Sequence, residues 1–589
     1  MKKTFFFLLL LFVFSCKEAP KTEQVKQLFQ ADITLLMQSV VDLETLIKSD
    51  ASQDKLQKQF LAAHQNYKRI EVFSEYYFPE VSKAINGPAI PEFEENDKMI
   101  LDPQGFQVIE EFLFPTYDKK LKAELLKETG ILSANLKRLN RIAESNEFTD
   151  AHVFDALRLE VFRIISMGIT GFDSPIAQKS IQEAEVSLEG IQKYYQLYTD
   201  NESDAGLKII NQAIKYLKTN PDFNRFDRAV FIQNYANPLS RKLYQSQKNL
   251  KIPFFNEMRG LKTNAQTLFD AAVFDEEAFS GFPDYKTTKE KAALGKLLFN
   301  DPILSGNNSR SCASCHHADK VFTDGLEKAL SFDGKSFVKR NTPTLNNIAF
   351  QRVFFSDSRV NYLEDQAVAV ITNVDEMHGS LEEAAKKIKN NKMYIEKFQT
   401  AFPKKEISAF EIKNALASYI RTLSKFDSKF DQYMRAEVAF TSDEKAGFNL
   451  FAGKAKCATC HFIPLTNGTV PPNFMKSESE VLGVPDKNGK LDADLGKYNL
   501  TKAIIHRYSF KTPTIRNITL TAPYMHNGVF KTLEEVVDFY NEGGGKGLGF
   551  SLENQTLPED KLNLTDLEKK QLVDFMKTLT DKKYLNYTK

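Results

Sequence analysis

Two pentads carry the most specific chemistry in the chain: Cys312-Ala313-Ser314-Cys315-His316 and Cys457-Ala458-Thr459-Cys460-His461. Two thiols three positions apart, followed at once by an imidazole, suit attachment of a porphyrin through two thioethers with the imidazole set against one face of its iron. Paired Cys-x-x-Cys elements also build structural zinc sites, but zinc does not require the histidine that follows each pair here. The pattern points to two covalent c-type haems, one on Cys312, Cys315 and His316 and one on Cys457, Cys460 and His461.

An iron with one protein imidazole either takes a second protein ligand and passes electrons, or stays open to an exogenous molecule such as peroxide. An internal repeat bears on that choice. Thr342-Pro343-Thr344-Leu345-Asn346-Asn347-Ile348 matches Thr512-Pro513-Thr514-Ile515-Arg516-Asn517-Ile518 at an offset of 170, and Leu363-Glu364 matches Leu533-Glu534 at the same offset. The pentads are offset by 145, so one copy carries an insertion or deletion between motif and repeat. Duplication of this kind predicts two cytochrome-like lobes with one haem each. At offset 170 Tyr540 aligns with Val370. A phenol ligates ferric iron and an isopropyl group does not, so Tyr540 is the expected ligand opposite His461, and the iron of His316 is expected to be open. Met525, His526 and His506 compete with Tyr540. Cleaving peroxide at an open iron needs a group that takes a proton from the near oxygen and returns one to the departing oxygen, a task for a carboxylate with an amide neighbour. Glu376 and Gln366, on either side of Val370, are the candidates.

The elements that must position these groups are helical. From about Thr22 to Gln247 apolar residues recur with helix period, as in Phe29, Ile33, Leu36, Val40, Leu43 and Ile47, with no sustained strand alternation. The predicted fold class is mainly α: an antiparallel helical bundle over 17–250, a connector over 251–283 ending in the turn-forming Phe279-Ser280-Gly281-Phe282-Pro283, and two cytochrome c-like haem lobes over 284–432 and 433–589. Capping-box spacing from Thr287 to Glu290 and from Thr441 to Glu444 marks the helix that leads into each pentad. A third box, Thr565 to Glu568, opens an amphipathic helix carrying Leu572, Phe575, Met576 and Leu579.

The formal charge of +1 over 589 residues argues against a nucleic-acid binder, since no basic surplus exists to neutralise phosphates. Four of the five cysteines belong to the pentads, which leaves Cys16. Lys2 and Lys3 precede an apolar run from Phe5 to Phe14 that is too short to span a bilayer. Val13-Phe14-Ser15-Cys16 resembles a bacterial lipobox; an ordinary secretory signal is the alternative. The expected outcome is a signal peptide over 1–16, a lipid on Cys16 and a membrane-anchored protein in the periplasm, the membrane face being left open.

Two family resemblances follow. Gly105-Phe106-Gln107-Val108-Ile109-Glu110-Glu111 resembles the G-x-H-x-x-E signature of imelysin-like periplasmic bundles, with Gln107 in the place of the histidine. A neutral amide is a poor metal ligand, so Gln107 and Glu110 are read as a hydrogen-bonded pair at a helix start. The helical half is read as a module that docks a protein partner or regulates.

From Leu294 through Gly543 the chain resembles the bacterial dihaem cytochrome c peroxidases and the related MauG-type enzymes. The motifs are Arg340-Asn341-Thr342-Pro343-Thr344, Asp357-Ser358-Arg359, Leu363-Glu364-Asp365-Gln366, Asp375-Glu376-Met377 and Leu520-Thr521-Ala522-Pro523-Tyr524. The resemblance implies that the His316 haem is the peroxide site and that the His461 haem receives electrons from an external donor. It makes Gln366 and Glu376 the distal amide and acid, and Asn341, Thr521 and Pro523 the holders of one calcium ion. Tyr540 falls where peroxidases carry an axial Met and MauG-type enzymes an axial Tyr. Three departures stand out. The chain has no Trp, and Ser356 holds the place of the inter-haem Trp, leaving Phe355 or direct haem-to-haem tunnelling. Ser331-Phe332-Asp333-Gly334 lacks the His that blocks the first haem in many peroxidases, so that haem is expected to be open even when oxidised. Val370 replaces a Pro. The expected function is reduction of hydrogen peroxide to water with electrons from a donor such as a small cytochrome. A phenolate ligand lowers a haem potential, which keeps open MauG-like oxidation of a partner protein; a non-enzymatic dihaem electron-transfer lipoprotein is the third reading.

Overall fold

The structure is a computed structural model that describes residues 19–94, 98–199 and 203–587; the segment expected to be a signal peptide and Cys16 lie outside the described residues. The helical half runs through α1 (Lys21–Lys48), α2 (Gln53–Tyr77), α3 (Pro79–Asn86), a hairpin of β1 (Glu92–Glu94) and β2 (Met99–Leu101), α4 (Phe106–Leu113), α5 (Lys122–Ser145), α6 (Asp150–Ser166), α7 (Ser180–Tyr195), α8 (Ala205–Thr219), α9 (Arg228–Phe231) and, after a π-helical turn, α10 (Asn237–Asn249). The stripe expected on α1 is buried from Phe29 to Ile47 and packs on α2. α6 is buried on every side from Val153 to Ser166 although it carries charges. Arg163 of α6 and Lys68 of α2 share carboxylates at hydrogen-bond distance: Lys68 Nζ lies 2.7 Å from both Glu71 and Asp173, and Arg163 lies 2.8 Å from the same two. Such buried pairs add little net stability, but removing one partner strands a charge at a cost of about 3–5 kcal/mol.

Gln107 and Glu110 do not pair with each other. Gly105 caps α4 at φ +96, and a Cβ there would sit 2.3 Å from the Ile85 carbonyl. This close approach carries the Gln107 amide to the Asn86 carbonyl (2.9 Å). Glu110 accepts instead from the Ser174 hydroxyl (3.1 Å) and the Ala177 N–H (2.9 Å). Both side chains serve tertiary contacts that sequence spacing does not encode.

The haem half contains α11 (Lys289–Asn300), α12 (Leu363–Thr372), α13 (Leu381–Lys389), α14 (Lys392–Ala401), α15 (Ala409–Arg421), α16 (Lys429–Met434), α17 (Ser442–Phe451), β3 (Ser479–Val481), α18 (Tyr498–Thr501), β4 (Ser509–Lys511), α19 (Leu533–Asn541), α20 (Gly544–Gly547) and α21 (Asp566–Lys577), with β3 and β4 antiparallel. Each lobe is closed by a helix crossing too tight for a side chain. A Cβ on Gly295 of α11 would lie 1.8 Å from the Ala415 carbonyl of α15, and one on Gly447 of α17 would lie 1.9 Å from the Gln571 carbonyl of α21. The repeat is present in three dimensions: Asn347 (φ 57) and Asn517 (φ 60) each start a 3₁₀ turn, and the bridges Phe354–Val360 and Tyr524–Phe530 precede α12 and α19. Capping boxes form at Thr441 and Thr565. The first is shifted by one residue: Thr288 caps α11, because the Thr287 N–H is taken by Glu277 (3.0 Å).

The connector is a buried part of the fold, with Leu261, Leu268, Phe269, Val273 and Phe274 in the core and a bridge from Leu261 to Phe274. The expected lobe division at 432/433 falls inside α16, whose Phe430 packs on Phe448 and Phe575 of the second lobe. The helical half and second lobe share one apolar core, and the first lobe has its own. Asp227 binds Lys445 (2.8 Å) and Asn449 (3.1 Å), and Phe172 meets Phe462 beside the second pentad.

Candidate active site

The first pentad forms a 3₁₀ turn over Cys312–Ser314 and closes on itself, the His316 N–H donating to the Cys312 carbonyl (3.0 Å). His316 Nδ1 lies 2.8 Å from the Phe322 carbonyl. That partner fixes the tautomer that leaves Nε2 as the ligating nitrogen. Burial lowers the His316 pKa and keeps the ring neutral, the form that binds metal. The second pentad repeats the turn over Cys457–Thr459, and burial brings His461 down to about 4 against the opposing pull of the Thr466 and Pro513 backbone. His461 Nδ1 is buried without a well-formed hydrogen bond. All four pentad thiols are free of disulfides. A neutral imidazole beside two unbridged thiols, oriented by a backbone carbonyl in the case of His316, fits a covalently held haem in each lobe.

In the first lobe the remaining candidates lie on α12 and the turn that follows it. Leu363, Ala367 and Ile371 face the lobe core; Gln366, Val370 and the C-cap Asn373 follow at i, i+4, i+7 along the flank of that stripe, with Val370 half-buried against the same core. Asn373 reads the turn in both directions: its oxygen accepts the Asp375 N–H (2.9 Å) and its nitrogen donates to Glu376 Oε1 (2.7 Å). Gln366, Val370, Asn373 and Glu376 thus form one continuous edge. Arg310, two residues before Cys312, ties this edge to the pentad by donating to the carbonyls of Glu376 (3.1 Å), Leu330 (3.0 Å) and Ser331 (3.0 Å). Burial raises the Glu376 pKa, while Arg359, the Asn373 hydrogen bond and Arg310 hold it back. Burial also raises the Cys315 thiol, and Glu376 adds to that rise, which sets the carboxylate within electrostatic reach of the attachment loop. The segment Ser331–Gly334 abuts the same loop through Phe332 N–H to the Asp375 carbonyl (2.7 Å). His378 is exposed and meets Phe332 edge-on at 5.5 Å.

On the second lobe α19, capped by a Thr532–Glu535 box, buries Phe539 and brings Tyr540 within electrostatic reach of the pentad thiols. Burial pushes the Tyr540 phenol well above its usual range, followed by the Cys460 and Cys457 thiols and Glu480 as further causes. Two of its competitors are engaged elsewhere. His526 stacks on Phe510 (3.8 Å, 13°) with Nε2 3.4 Å from Asp492, and His506 Nδ1 lies 2.9 Å from the Thr501 hydroxyl with its ring against Phe93.

Between the lobes, the Ser356 carbonyl accepts the Lys511 N–H (2.7 Å), so the position expected to replace the bridging Trp lies on the seam. Asn341 N–H donates to the His526 carbonyl (2.8 Å), which brings Asn341 against the segment that follows Thr521 and Pro523; its amide nitrogen is held by the Leu326 carbonyl (2.8 Å). Arg310, Asn373 and Lys511 were not apparent from sequence. Position relative to the pentad, the helix C-cap and the repeated Thr-Pro-Thr were the only signals available for them.

A family model described as di-haem cytochrome c peroxidase matches residues 289–439. The methylamine utilization protein MauG of Methylorubrum extorquens is 37% identical over 294 residues, covering 50% of this chain and 78% of that protein. The cytochrome-c peroxidase IdrP2 of Denitromonas iodatirespirans is 32% identical over 330 residues, covering 53% and 87%. A crystal structure of a MauG-like protein associated with microbial copper homeostasis is similar at 30% identity and a TM-score of 0.45, covering 51% of this chain and 91% of that one.

Proposed function

Since the chain belongs to the dihaem cytochrome c peroxidase family that includes MauG, and is an oxidoreductase with two c-type haems, we propose that it reduces hydrogen peroxide to two waters, consuming two protons and two electrons from an external donor such as a small cytochrome. The haems, when bound, supply a peroxide-binding iron at His316 and an electron-receiving iron at His461. The observation that carries the proposal is the asymmetry of the two repeat copies, with Val370 and the Glu376 edge in one and the Tyr540 phenol in the other. Glu376 takes the proton from the near oxygen of peroxide and returns it to the departing oxygen; Gln366 orients the substrate by hydrogen bonding. Asn373 holds the Glu376 carboxylate, and Arg310 ties the Glu376 backbone carbonyl to the pentad loop. Asn341, Thr521 and Pro523 bind a calcium ion through oxygens, and Cys16 carries a lipid that anchors the protein in the periplasm.

A second reading, peroxide-dependent oxidation of a partner protein as in MauG, is favoured by one feature: a phenol at position 540 disfavours acceptance of electrons from a high-potential donor. Peroxide turnover by the haem-loaded protein with reduced cytochrome tests the first reading. Glu376→Gln is expected to slow the reaction with peroxide about 100-fold or more while leaving both haems attached. Full reactivity in that variant would remove Glu376 from the mechanism. A long-lived oxidised state discharged only by a protein partner would favour the second reading.

A further inference from the structure

Lys511 ends β4 and reaches across the seam between the lobes. Its backbone N–H donates to the Ser356 carbonyl (2.7 Å) and its ammonium to the side-chain oxygen of Gln351, both in the first lobe. Gln351 is itself buried. Among the described residues no carboxylate pairs with Lys511, and burial alone pushes its pKa down, to about 8. Two other cations that cross this seam are matched: Arg340 binds Asp357 and Asp494, and Lys531 binds Glu327. A half-buried ammonium answered only by a neutral amide is costly, and an anion placed beside it would offset that cost. Two residues further on, the Pro513 backbone faces the His461 ring, so β4 leads from the seam directly to the second haem motif. The Ser509 and Thr512 hydroxyls on the same stretch are buried and have no hydrogen-bond partner among the described residues.

We propose that Lys511 is the counter-charge for a carboxylate side arm of the haem held by His461, with Gln351 as the positioning residue that aims the ammonium. The inference rests on the reading that the second lobe binds haem. A cation on that side arm offsets negative charge near the iron, favours the reduced state and raises the potential, opposing the effect of the Tyr540 phenolate.

The test uses the full haem-loaded chain and three variants, Lys511→Gln, Lys511→Arg and Gln351→Glu. Haem content, the midpoint potential of each haem and the resonance Raman propionate bending band are measured. Lys511→Gln is expected to retain two haems, lower the potential of the second haem and shift its bending band; Lys511→Arg should return both toward the parent values. Gln351→Glu should also lower that potential, because a protein carboxylate then competes for the ammonium; it decides the matter if Lys511→Gln does not assemble. Unchanged potentials and band in Lys511→Gln and Gln351→Glu overturn the proposal. A lowered potential with an unmoved band, or a shift confined to the first haem, overturns the assigned contact. Fewer than two haems in the parent protein would instead defeat the underlying reading.

Discussion

Glu376 is tuned by opposed effects at atomic range. Burial raises its pKa, and the 2.7 Å hydrogen bond from Asn373 lowers it. As the base that accepts the first proton of peroxide, Glu376 acts in its ionised form. Removing the Asn373 amide raises its pKa further, so the acid limb of the peroxide rate profile in Asn373→Ala should move to higher pH by about one unit, the worth of one hydrogen bond to a charged group. Stopped-flow rates across the limb check this, and an unmoved limb would leave Asn373 a helix cap only. The residue pairing of Val370 with Tyr540 was legible because a repeat aligns positions without any knowledge of their surroundings. Asn373 and Arg310 were not, since their partners are a neighbouring carboxylate and backbone carbonyls, and backbone carbonyls have no sequence identity.

At the scale of the element, local rules held where the relevant atoms lie within one turn. The stripe of α1 and the boxes at Thr441 and Thr565 formed as their spacing requires. The box at Thr287 slipped because Glu277, ten residues away, captured the cap's N–H. Gln107 and Glu110 of α4 separated for the same reason, each finding a distant partner. Burial raises Glu110 to about 7. A carboxyl whose folded pKa lies above its unfolded value stabilises the fold at low pH, and that contribution is lost as pH rises from about 4.5 through about 7. The Glu110→Gln variant lacks this loss, so its stability relative to the parent should increase by about 3 kcal/mol between pH 4.5 and 8. Denaturant unfolding over that range measures the difference; parallel curves would mean that Glu110 keeps an ordinary pKa.

For the whole molecule, composition and periodicity gave the order of parts but not their grouping. A bundle, a connector and two lobes read as beads in sequence, yet the bundle and the second lobe share one core, and the connector is sealed inside it. Periodicity reports which face of a helix is apolar and not which neighbour covers it, so that partnership had no signature. Arg228 is fully buried and, among the described residues, pairs with no carboxylate, donating instead to the Ile169, Phe226 and Phe223 carbonyls, and a Cβ on Gly453 would meet its guanidinium at 2.6 Å. A shared core predicts shared opening. In hydrogen exchange of the haem-loaded protein, the slowest amides of α7 and α21 should have one opening free energy and those of α15 another. Separate values for α7 and α21 would show that the two parts open independently.

The face of the bundle that docks on the second lobe carries a cost during biosynthesis. A ribosome finishes Ala229 long before it reaches the Asn449 side chain that accepts its N–H, a separation of 220 residues. Through that interval the nascent bundle must wait with Phe172 lacking its final neighbour, Phe462, while the first lobe, whose contacts are nearer in sequence, is free to mature. Folding of the earliest-made part is therefore completed by the latest.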